Sequence, residues 1–190
     1  MDQDAVLDLF RKSGALLEGH FRLSSGLHSD RYLQSALVLQ YPEFADALGQ
    51  ALAARTRHLQ PTVVLSPALG GIVIGQEVGR ALGVRSIFAE RRNGTLVLRR
   101  GFTLDGSDRV LVVEDVITTG GSTRETAAVA ESFGALVTGA AAIIDRGSDP
   151  ARLNMPTQSL VRLEVPTYAP EACPHCAKGI AIVKPGSRAS

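Results

Sequence analysis

The sequence has 190 residues, 45% of them hydrophobic and 21% charged, a size and balance typical of one globular α/β domain with its own core. The formal net charge of +1 and the pI near 7.9 give no broad basic field, which argues against nucleic acid or an anionic membrane as a partner. A small anionic substrate is still allowed, because a pocket needs only local positive charge.

The N-terminal run MDQDAVLDLFRKSG lacks the basic start and the long apolar stretch of a signal peptide, and no segment approaches the length of a membrane span. The two cysteines, Cys173 and Cys176, stand together in CPHC, so no disulfide framework is predicted and a reducing compartment is expected. We therefore expect a soluble cytoplasmic protein.

Helical spacing of apolar residues predicts one helix over residues 4 to 18 and a second over residues 42 to 59, with Pro42 near its first turn. From Pro61 onward, short apolar runs alternate with helical stretches that end near Gly83 and Gly134. The runs predict buried strands at 62–66, 84–90, 110–114, 136–144 and 159–163. This alternation predicts a parallel sheet with crossover helices.

Two parts of the chain break the alternation. Residues 15 to 40 and 150 to 190 are rich in turn residues and together could form a cap over the edge of the sheet. Residues 91 to 109 form a long connection rich in glycine and arginine, and connections of that length are usually functional or disordered. The alternative for this connection is a solvated β-hairpin, since its TLVLRR stretch is strand-like.

The segment VLVVEDVITTGGST, residues 110 to 123, carries the clearest chemistry. A buried strand ends in Glu114 and Asp115, at the edge where open α/β sheets bind ligands. The Thr/Gly-rich turn that follows supplies N–H groups and hydroxyls at a helix N-terminus, which suits a phosphate dianion. The carboxylates would then face ribose hydroxyls and help to hold Mg²⁺, so the segment predicts a sugar 5-phosphate site.

The alternative is an ordinary strand-to-helix turn with two solvated acids, but it requires the whole fourteen-residue pattern to arise without a ligand. The segment has neither the GxxxxGK[ST] of a P-loop nor the GxGxxG of a dinucleotide site. It resembles the PRPP-binding motif of type I phosphoribosyltransferases. The resemblance implies that PRPP contacts Glu114, Asp115, Val116, Ile117, Thr118, Thr119, Gly120, Gly121 and Ser122, with Mg²⁺ bound mainly through PRPP and not directly by the protein.

The resemblance also implies an α/β fold with a central, mostly parallel sheet flanked by helices and a small hood built from the N- and C-terminal segments. We expect one domain over residues 1–190, with the hood at about 15–40 and 150–185 and the core at about 41–149. The turn SPALGG would cradle pyrophosphate through Ala68, Leu69, Gly70 and Gly71, although a plain strand-to-helix turn is a serious alternative.

Further stretches resemble orotate phosphoribosyltransferases. In GHFRLSSGLHSDRYLQ, residues 19 to 34, the residues that match that family's orotate pocket are Ser25, Gly26 and Tyr32, whereas Ser24 replaces its usual basic residue. Arg146, together with Thr118, would bind orotate, and the alternative for Arg146 is a surface salt bridge with Asp145 or Asp149. The ending CPHC…KGIAIVKPGSR resembles a thermophile-type branch of the family.

The family also has a mobile basic loop that reaches into the neighbouring subunit of a dimer, which implies a homodimer with a shared active-site loop. The usual lysines and histidine of that loop are absent here, so arginine would have to replace them. The predicted catalytic residues are therefore Asp115, Glu114, Arg91, Arg92, Arg99 and Arg100.

The CPHC motif with His175 offers at most three soft ligands, so a zinc site would need ligands from elsewhere in the chain. A turn with two thiols is favoured and no metal is assigned there. No histidine lies between residues 59 and 174, which disfavours a Ser/His/Asp or Cys/His catalytic set at the main site.

The resemblance implies a Mg²⁺-dependent displacement of pyrophosphate from PRPP by N1 of orotate, giving orotidine 5′-monophosphate. Three alternatives stay open: a purine phosphoribosyltransferase with the same PRPP motif, a PRPP-sensing regulator without catalysis, and an α/β interaction domain with a dead site. A nucleic-acid-binding regulator should carry a basic surface or a helix-turn-helix, and the nearly neutral sequence shows neither.

Overall fold

In a computed structural model of the chain, the described residues are 1–23, 25–147, 149, 153–163 and 165–184. Ser24 and the ending beyond residue 184 therefore lie outside them. The helices are α1 Gln3–Lys12, α2 Ser35–Leu39, α3 Pro42–Thr56, α4 Gly70–Leu82, α5 Gly121–Ser132 and α6 Pro174–Ala177. The strands are β1 Leu16–Arg22, β2 His28–Leu33, β3 Val63–Pro67, β4 Arg85–Arg92, β5 Thr95–Leu98, β6 Arg109–Ile117, β7 Leu136–Asp145, β8 Thr157–Arg162 and β9 Thr167–Tyr168.

The larger sheet has six strands in the order β5-β4-β3-β6-β7-β8. Every neighbouring pair is parallel except β4 with β5. Strand β3 is buried along its whole length, and β7 is buried from Gly139 to Asp145, as strands covered by helices on both faces must be. The predicted mostly parallel sheet flanked by helices is therefore confirmed.

Two apolar clusters cover the two faces of this sheet. One packs α1, α2, α3 and α4 against residues such as Val64, Leu111 and Ile143, and the other packs α5 and the β4–β5 hairpin against Val63, Val112 and their neighbours. The alternation of side chains along each strand sends successive residues of β3 and β6 into different clusters. The carboxyl ends of β3, β6 and β7 consequently meet at one edge, where ligand sites are expected.

The hood is a three-stranded antiparallel sheet in the order β1-β2-β9, so it joins N- and C-terminal segments as predicted. The predicted hood boundary at 150–185 is wrong at one element. Strand β8 lies inside that range but pairs with β7 in the larger sheet, because its Leu160 and Val161 are buried in the core. The other boundaries and the single-domain organisation stay predictions.

The first helix is shorter than predicted. It ends at Lys12, where the Ser13 hydroxyl donates to the Leu9 carbonyl at 2.8 Å, and residues 16 to 18 belong to a strand. The apolar residues Leu16 and Leu17 fit a helical spacing, but they pair with Leu33 and Tyr32 in the hood. Pairing over a distance in sequence therefore overrides the local periodicity.

The arginine-rich connection forms a β-hairpin over residues 85 to 98. Asn93 and Gly94, with φ of 51° and 86°, make the two-residue turn between β4 and β5. A turn with positive φ at both positions matches the twist of paired strands, and Asn-Gly is the preferred sequence for it. The β-hairpin alternative is thus the one that forms.

Candidate active site

The acidic pair lies near the end of β6, and the strand continues past it to Ile117. Ile117 is 1% exposed and packs on Ala142 and Leu153, so its side chain belongs to the core and only its backbone could meet a ligand. Helix α5 begins at Gly121, and its first intrahelical bond at this end is from the Arg124 N–H to the Gly120 carbonyl. The preceding N–H groups therefore point outward from the helix N-terminus.

A cleft of about 230 Å³ opens at this helix N-terminus. Seven of the nine predicted PRPP residues line it, and they are joined by Arg91 from β4 and by Glu125 from α5. The lining residues are Arg91, Glu114, Val116, Thr118, Thr119, Gly120, Gly121, Ser122 and Glu125. The cleft combines outward N–H groups, hydroxyls and one arginine, which is the chemistry expected of a phosphate site.

The two carboxylates do not share this cleft. Glu114 lines it and accepts a hydrogen bond from the Thr123 hydroxyl, whereas Asp115, on the opposite face of β6, lines a neighbouring cavity with Leu69 and Gly70. This separation follows from the alternation of side chains along a strand. The prediction that both acids face one ribose at the same cavity is therefore not supported by their placement.

Of the pyrophosphate-loop residues, Ala68 and Leu69 connect β3 to α4, and Gly70 and Gly71 begin α4, with Gly70 next to Asp115. A Cβ atom at Gly70 would lie 2.8 Å from Asp115 Oδ1, so only glycine lets the loop approach the carboxylate this closely. The Ala68–Leu69 peptide is cis, and Leu69 is 84% exposed. The Ala68 N–H donates to the Ala89 carbonyl at 2.8 Å. This N–H group is therefore not available to an anion, contrary to the prediction.

Both carboxyl groups are harder to ionise than usual. Burial, with a smaller effect from neighbouring Asp115, raises the pKa of Glu114 from 4.5 to about 7, although the Thr123 hydrogen bond opposes the change. Burial also raises the pKa of Asp115. Perturbed carboxyl groups at a sheet edge are typical of functional sites.

The raised pKa of Glu114 predicts a pH-dependent cost to stability. The folded-state pKa exceeds the ordinary value, so the folded protein holds the Glu114 proton more tightly than the unfolded chain does. The stability associated with the protonated side chain is therefore full below pH 4.5 and is lost as pH rises through about 7. Glu114→Gln stays neutral and can still accept from Thr123. We expect this variant to be more stable than wild type at pH 8, by up to about 3 kcal/mol, and nearly equal in stability at pH 4. Urea unfolding at the two pH values measures the difference, and an equal gain at both would contradict the assignment.

The four predicted catalytic arginines have different surroundings. Arg91 lines the cleft and pairs with Glu125 at 2.9 Å. Arg100 forms two hydrogen bonds with Glu90, and Arg99 lies 3.9 Å from the same carboxylate. Arg92 is exposed and forms no ion pair with another described residue. Within the described part of the chain, Arg91 is the arginine of this set that reaches the cleft.

A second cavity, of about 320 Å³, shares two residues with the cleft. Its lining residues are Thr118, Thr119, Arg146, Gly147, Asp149, Val165 and Thr167. The predicted orotate residues Thr118 and Arg146 therefore meet at one cavity, immediately beside the cleft at α5. Val165 and Thr167 come from the hood segment, and nothing in their local sequence marked them.

Arg146 is held at this position by its backbone. Its N–H donates to the Ile117 carbonyl at 2.8 Å, and its buried Nε has no hydrogen-bond partner among the described residues. Burial lowers the pKa of the guanidinium. The salt-bridge alternative does not form within the described chain, where Asp145 pairs with Arg162 instead, at 3.8 Å. A half-buried guanidinium whose Nε has no hydrogen-bond partner among the described residues fits a ligand anion.

The other three predicted orotate residues are not brought to this cavity. Ser25 and Gly26 form the turn between β1 and β2, and Tyr32 packs on Phe21 with ring centroids 5.9 Å apart. None of the three lines the cavity that contains Arg146.

The helices of the described chain include none that is both long and apolar enough to cross a membrane.

Comparison with known proteins identifies the family. The phosphoribosyl transferase domain family matches residues 35–168. The orotate phosphoribosyltransferase of Pelotomaculum thermopropionicum is 52% identical over 188 residues, 99% of each chain, and that of Chlorobaculum parvum is 52% identical over 190 residues, 100% of this chain and 98% of the relative.

A solved structure supports the same fold. The crystal structure of Mycobacterium tuberculosis orotate phosphoribosyltransferase in complex with 5-phospho-α-D-ribosyl 1-diphosphate (PRPP) superimposes with a TM-score of 0.66 at 24% identity, and the match covers 84% of this chain and 94% of that chain. The overall fold is therefore that of this solved structure, and the relatives at 52% identity show that the chain belongs to the orotate phosphoribosyltransferase family.

Proposed function

We propose that this protein transfers the phosphoribosyl group of PRPP to orotate, releasing pyrophosphate and giving orotidine 5′-monophosphate in pyrimidine biosynthesis. The observation that carries the proposal is the placement of Arg146. Its half-buried guanidinium, whose Nε has no partner in the part of the chain that the structure describes, faces a cavity that shares Thr118 and Thr119 with the cleft at α5. Two substrates bound in the two spaces would meet at those threonines.

Arg146 also favours orotate over a purine as the acceptor. The guanidinium presents parallel donors that match a carboxylate or a pair of carbonyl oxygens, and orotate carries both. Adenine offers neither group. The relatives at 52% identity are named as orotate enzymes, which supports the same acceptor.

The phosphoribosyl end of PRPP fits the cleft at α5. The 5-phosphate would accept hydrogen bonds from the outward N–H groups and hydroxyls of Thr118 to Ser122, and Glu114 would accept from a ribose hydroxyl. The pyrophosphate would lie toward Gly70 and Gly71, where Asp115 stands. In this arrangement Glu114 and Asp115 lie on opposite sides of the bound sugar.

The cofactor in this proposal is Mg²⁺, held mainly by PRPP oxygens. The residues present fit it, because Asp115 supplies hard carboxylate oxygens next to the loop proposed for pyrophosphate. When bound, the ion neutralises charge on the departing pyrophosphate. Asp115 and Glu114 orient the sugar, and the protein need not supply a strong base, since N1 of orotate can already be anionic.

We further infer a cytoplasmic homodimer. Cys173 and Cys176 are not joined in a disulfide, which suits a reducing compartment. In the proposed dimer, the β4–β5 hairpin would deliver arginine side chains to a neighbouring subunit's site, as the family's basic loop does. Binding of nucleic acid or of a membrane is not part of the proposal.

The hairpin arginines can be ranked by single Ala substitutions. We expect Arg91→Ala to lower kcat by about 10-fold to 100-fold, because Arg91 is the one that already lines the cleft in the described chain. Arg92→Ala, Arg99→Ala and Arg100→Ala should cost less, and for Arg100 part of the loss reflects its pairing with Glu90. Steady-state kinetics with orotate compare the four. Uniform mild losses would contradict a leading role for Arg91.

The first test of the proposal is the loss of orotate ultraviolet absorbance when the protein is mixed with PRPP and Mg²⁺. Adenine, hypoxanthine and uracil serve as alternative acceptors, and omission of Mg²⁺ serves as the control. Turnover of orotate alone, dependent on Mg²⁺, is expected. Turnover of a purine instead would support the assignment of the PRPP site but contradict orotate as the acceptor. Binding of PRPP without transfer would indicate a regulator.

A further inference from the structure

Four side chains distant from one another in sequence converge in the hood, outside the cavities described above. His20 lies in β1 and His28 begins β2. Cys173 immediately precedes the short helix α6, and Cys176 lies within it. Their ligand-type atoms all lie within 4.8 Å of one another. The ligands that the CPHC motif needed from elsewhere in the chain are therefore supplied by the β1–β2 hairpin.

Four of the six separations between these ligand atoms match those around a single tetrahedral ion, and the other two are within 4.8 Å. His20 Nε2 lies 3.0 Å from His28 Nδ1, 3.5 Å from Cys173 Sγ and 3.7 Å from Cys176 Sγ, and Cys176 Sγ lies 3.3 Å from His28 Nδ1. For Zn–N and Zn–S bonds of normal length, the edges of a tetrahedron are about 3.3 Å between nitrogens and about 3.6 Å between nitrogen and sulfur. All four measured distances agree with these edges to within roughly 0.3 Å.

The His20 ring is already oriented as a metal ligand. Its Nδ1 lies 2.8 Å from the Ile180 carbonyl oxygen, so Nδ1 carries the proton and Nε2 presents its lone pair to the other three groups. A carbonyl partner on the far nitrogen is the usual way in which proteins fix a histidine that binds a metal. His175, the histidine between the two cysteines, is outside the group and stacks on His20 at 5.5 Å.

Burial suits a closed structural site. His20, His28 and Cys173 are 3%, 7% and 2% exposed, whereas Cys176 lies at the surface and gives an ion a path inward. Two sulfurs and two imidazoles in tetrahedral positions select zinc among the common divalent ions. With four protein ligands no position is left for a substrate, so the site would be structural and not catalytic.

We propose that His20, His28, Cys173 and Cys176 bind one Zn²⁺ ion, which fastens the C-terminal segment to the hood. The surrounding backbone supports this role. The Val183 N–H donates to the His20 carbonyl at 2.8 Å, and the Arg22 N–H donates to the Val183 carbonyl at 2.9 Å. Strand β9 also pairs with β2 at His28 and Ser29. A tetrahedral ion would link β1, β2 and the C-terminal segment at the place where these few hydrogen bonds join them.

The experiment is metal analysis of the full chain, purified without chelator and then loaded with zinc and desalted. We expect about one zinc per chain, four-coordinate by X-ray absorption with two sulfur neighbours. Replacement by Co²⁺ should give the strong visible bands and thiolate charge-transfer bands of a tetrahedral S₂N₂ site. These readouts on wild-type protein do not depend on catalytic activity or on any variant folding.

Variants then test the ligand set. Cys176→Ser and His28→Gln should each weaken zinc binding by more than about 100-fold, since even changes beyond the ligands cost 10- to 100-fold. His175→Gln is the matched control within the same motif and should keep one zinc. Chelation should lower the thermal unfolding temperature of wild type but not that of Cys176→Ser. The proposal is overturned if wild type takes up no zinc, if both variants retain it, or if Cys173 and Cys176 prove to be disulfide-bonded.

Discussion

Replacing Asp115 by Asn should lower kcat for orotate by about 100-fold or more while the protein remains as stable as wild type. Asn has the same shape but no charge, so it cannot stabilise the positive ribose ring that forms as pyrophosphate departs. Stability should not fall, because burial already raises the pKa of Asp115 and disfavours its charge in the free protein. Neutral Asn therefore removes a group that is costly to ionise.

The measurement combines orotate turnover at saturating PRPP with thermal unfolding of the free protein. Asp4→Asn, a change of the same kind at an exposed position in the first turn of α1, is the control; it should leave kcat unchanged and lower thermal stability only slightly, through the helix dipole. A loss confined to thermal stability would indicate a structural role for Asp115. Wild-type kcat in Asp115→Asn would remove this carboxylate from the mechanism.

Replacing Arg146 by Gln should raise the KM for orotate by about 10- to 100-fold and leave PRPP affinity nearly unchanged. A charge-assisted pair between a guanidinium and a carboxylate contributes about 1.5–3 kcal/mol, which corresponds to this range. PRPP affinity should be spared because Arg146 lines the second cavity and not the cleft at α5. Arg146→Lys should recover only part of the loss, since an ammonium cannot form the planar fork.

Initial rates over a matrix of orotate and PRPP concentrations separate the two affinities. Arg11→Gln serves as the control, because Arg11 is exposed on α1, where it pairs with Asp8 at 2.6 Å. A matched rise in both KM values would point to a general distortion of the site. An unchanged KM for orotate would transfer the acceptor role to another residue.

Much of the central sheet and of the proposed PRPP site follows from the sequence, because each is local. The five parallel strands are short apolar runs that need both faces covered, and they form within a few residues of the predicted bounds. Residues 118 to 122 are consecutive, so a strand followed by a helix is enough to gather them in one cleft. Arg146 was found in the same way, by its position just past the end of β7.

The parts that could not be predicted depend on contacts between distant segments. Strand β1 has helical spacing and becomes a strand only through pairing with β2. Thr167 reaches the Arg146 cavity because β9 joins the hood, and no local pattern marks it. The division of Glu114 and Asp115 between two cavities was accessible in principle. If β6 is continued two or three residues beyond its apolar run, both acids lie within the strand. Because successive side chains of a strand point to opposite faces, the two carboxylates must then point to different sides of the sheet.

The sharing of Thr118 and Thr119 by two cavities has a thermodynamic consequence for the affinities of the two proposed substrates. A phosphate that fixes the 118–119 turn also fixes part of the wall against which the acceptor binds. The conformational entropy of that turn is then lost once for two ligands, so the second ligand binds to a partly ordered site. Linkage makes the effect reciprocal: whatever factor PRPP adds to orotate affinity, orotate adds to PRPP affinity.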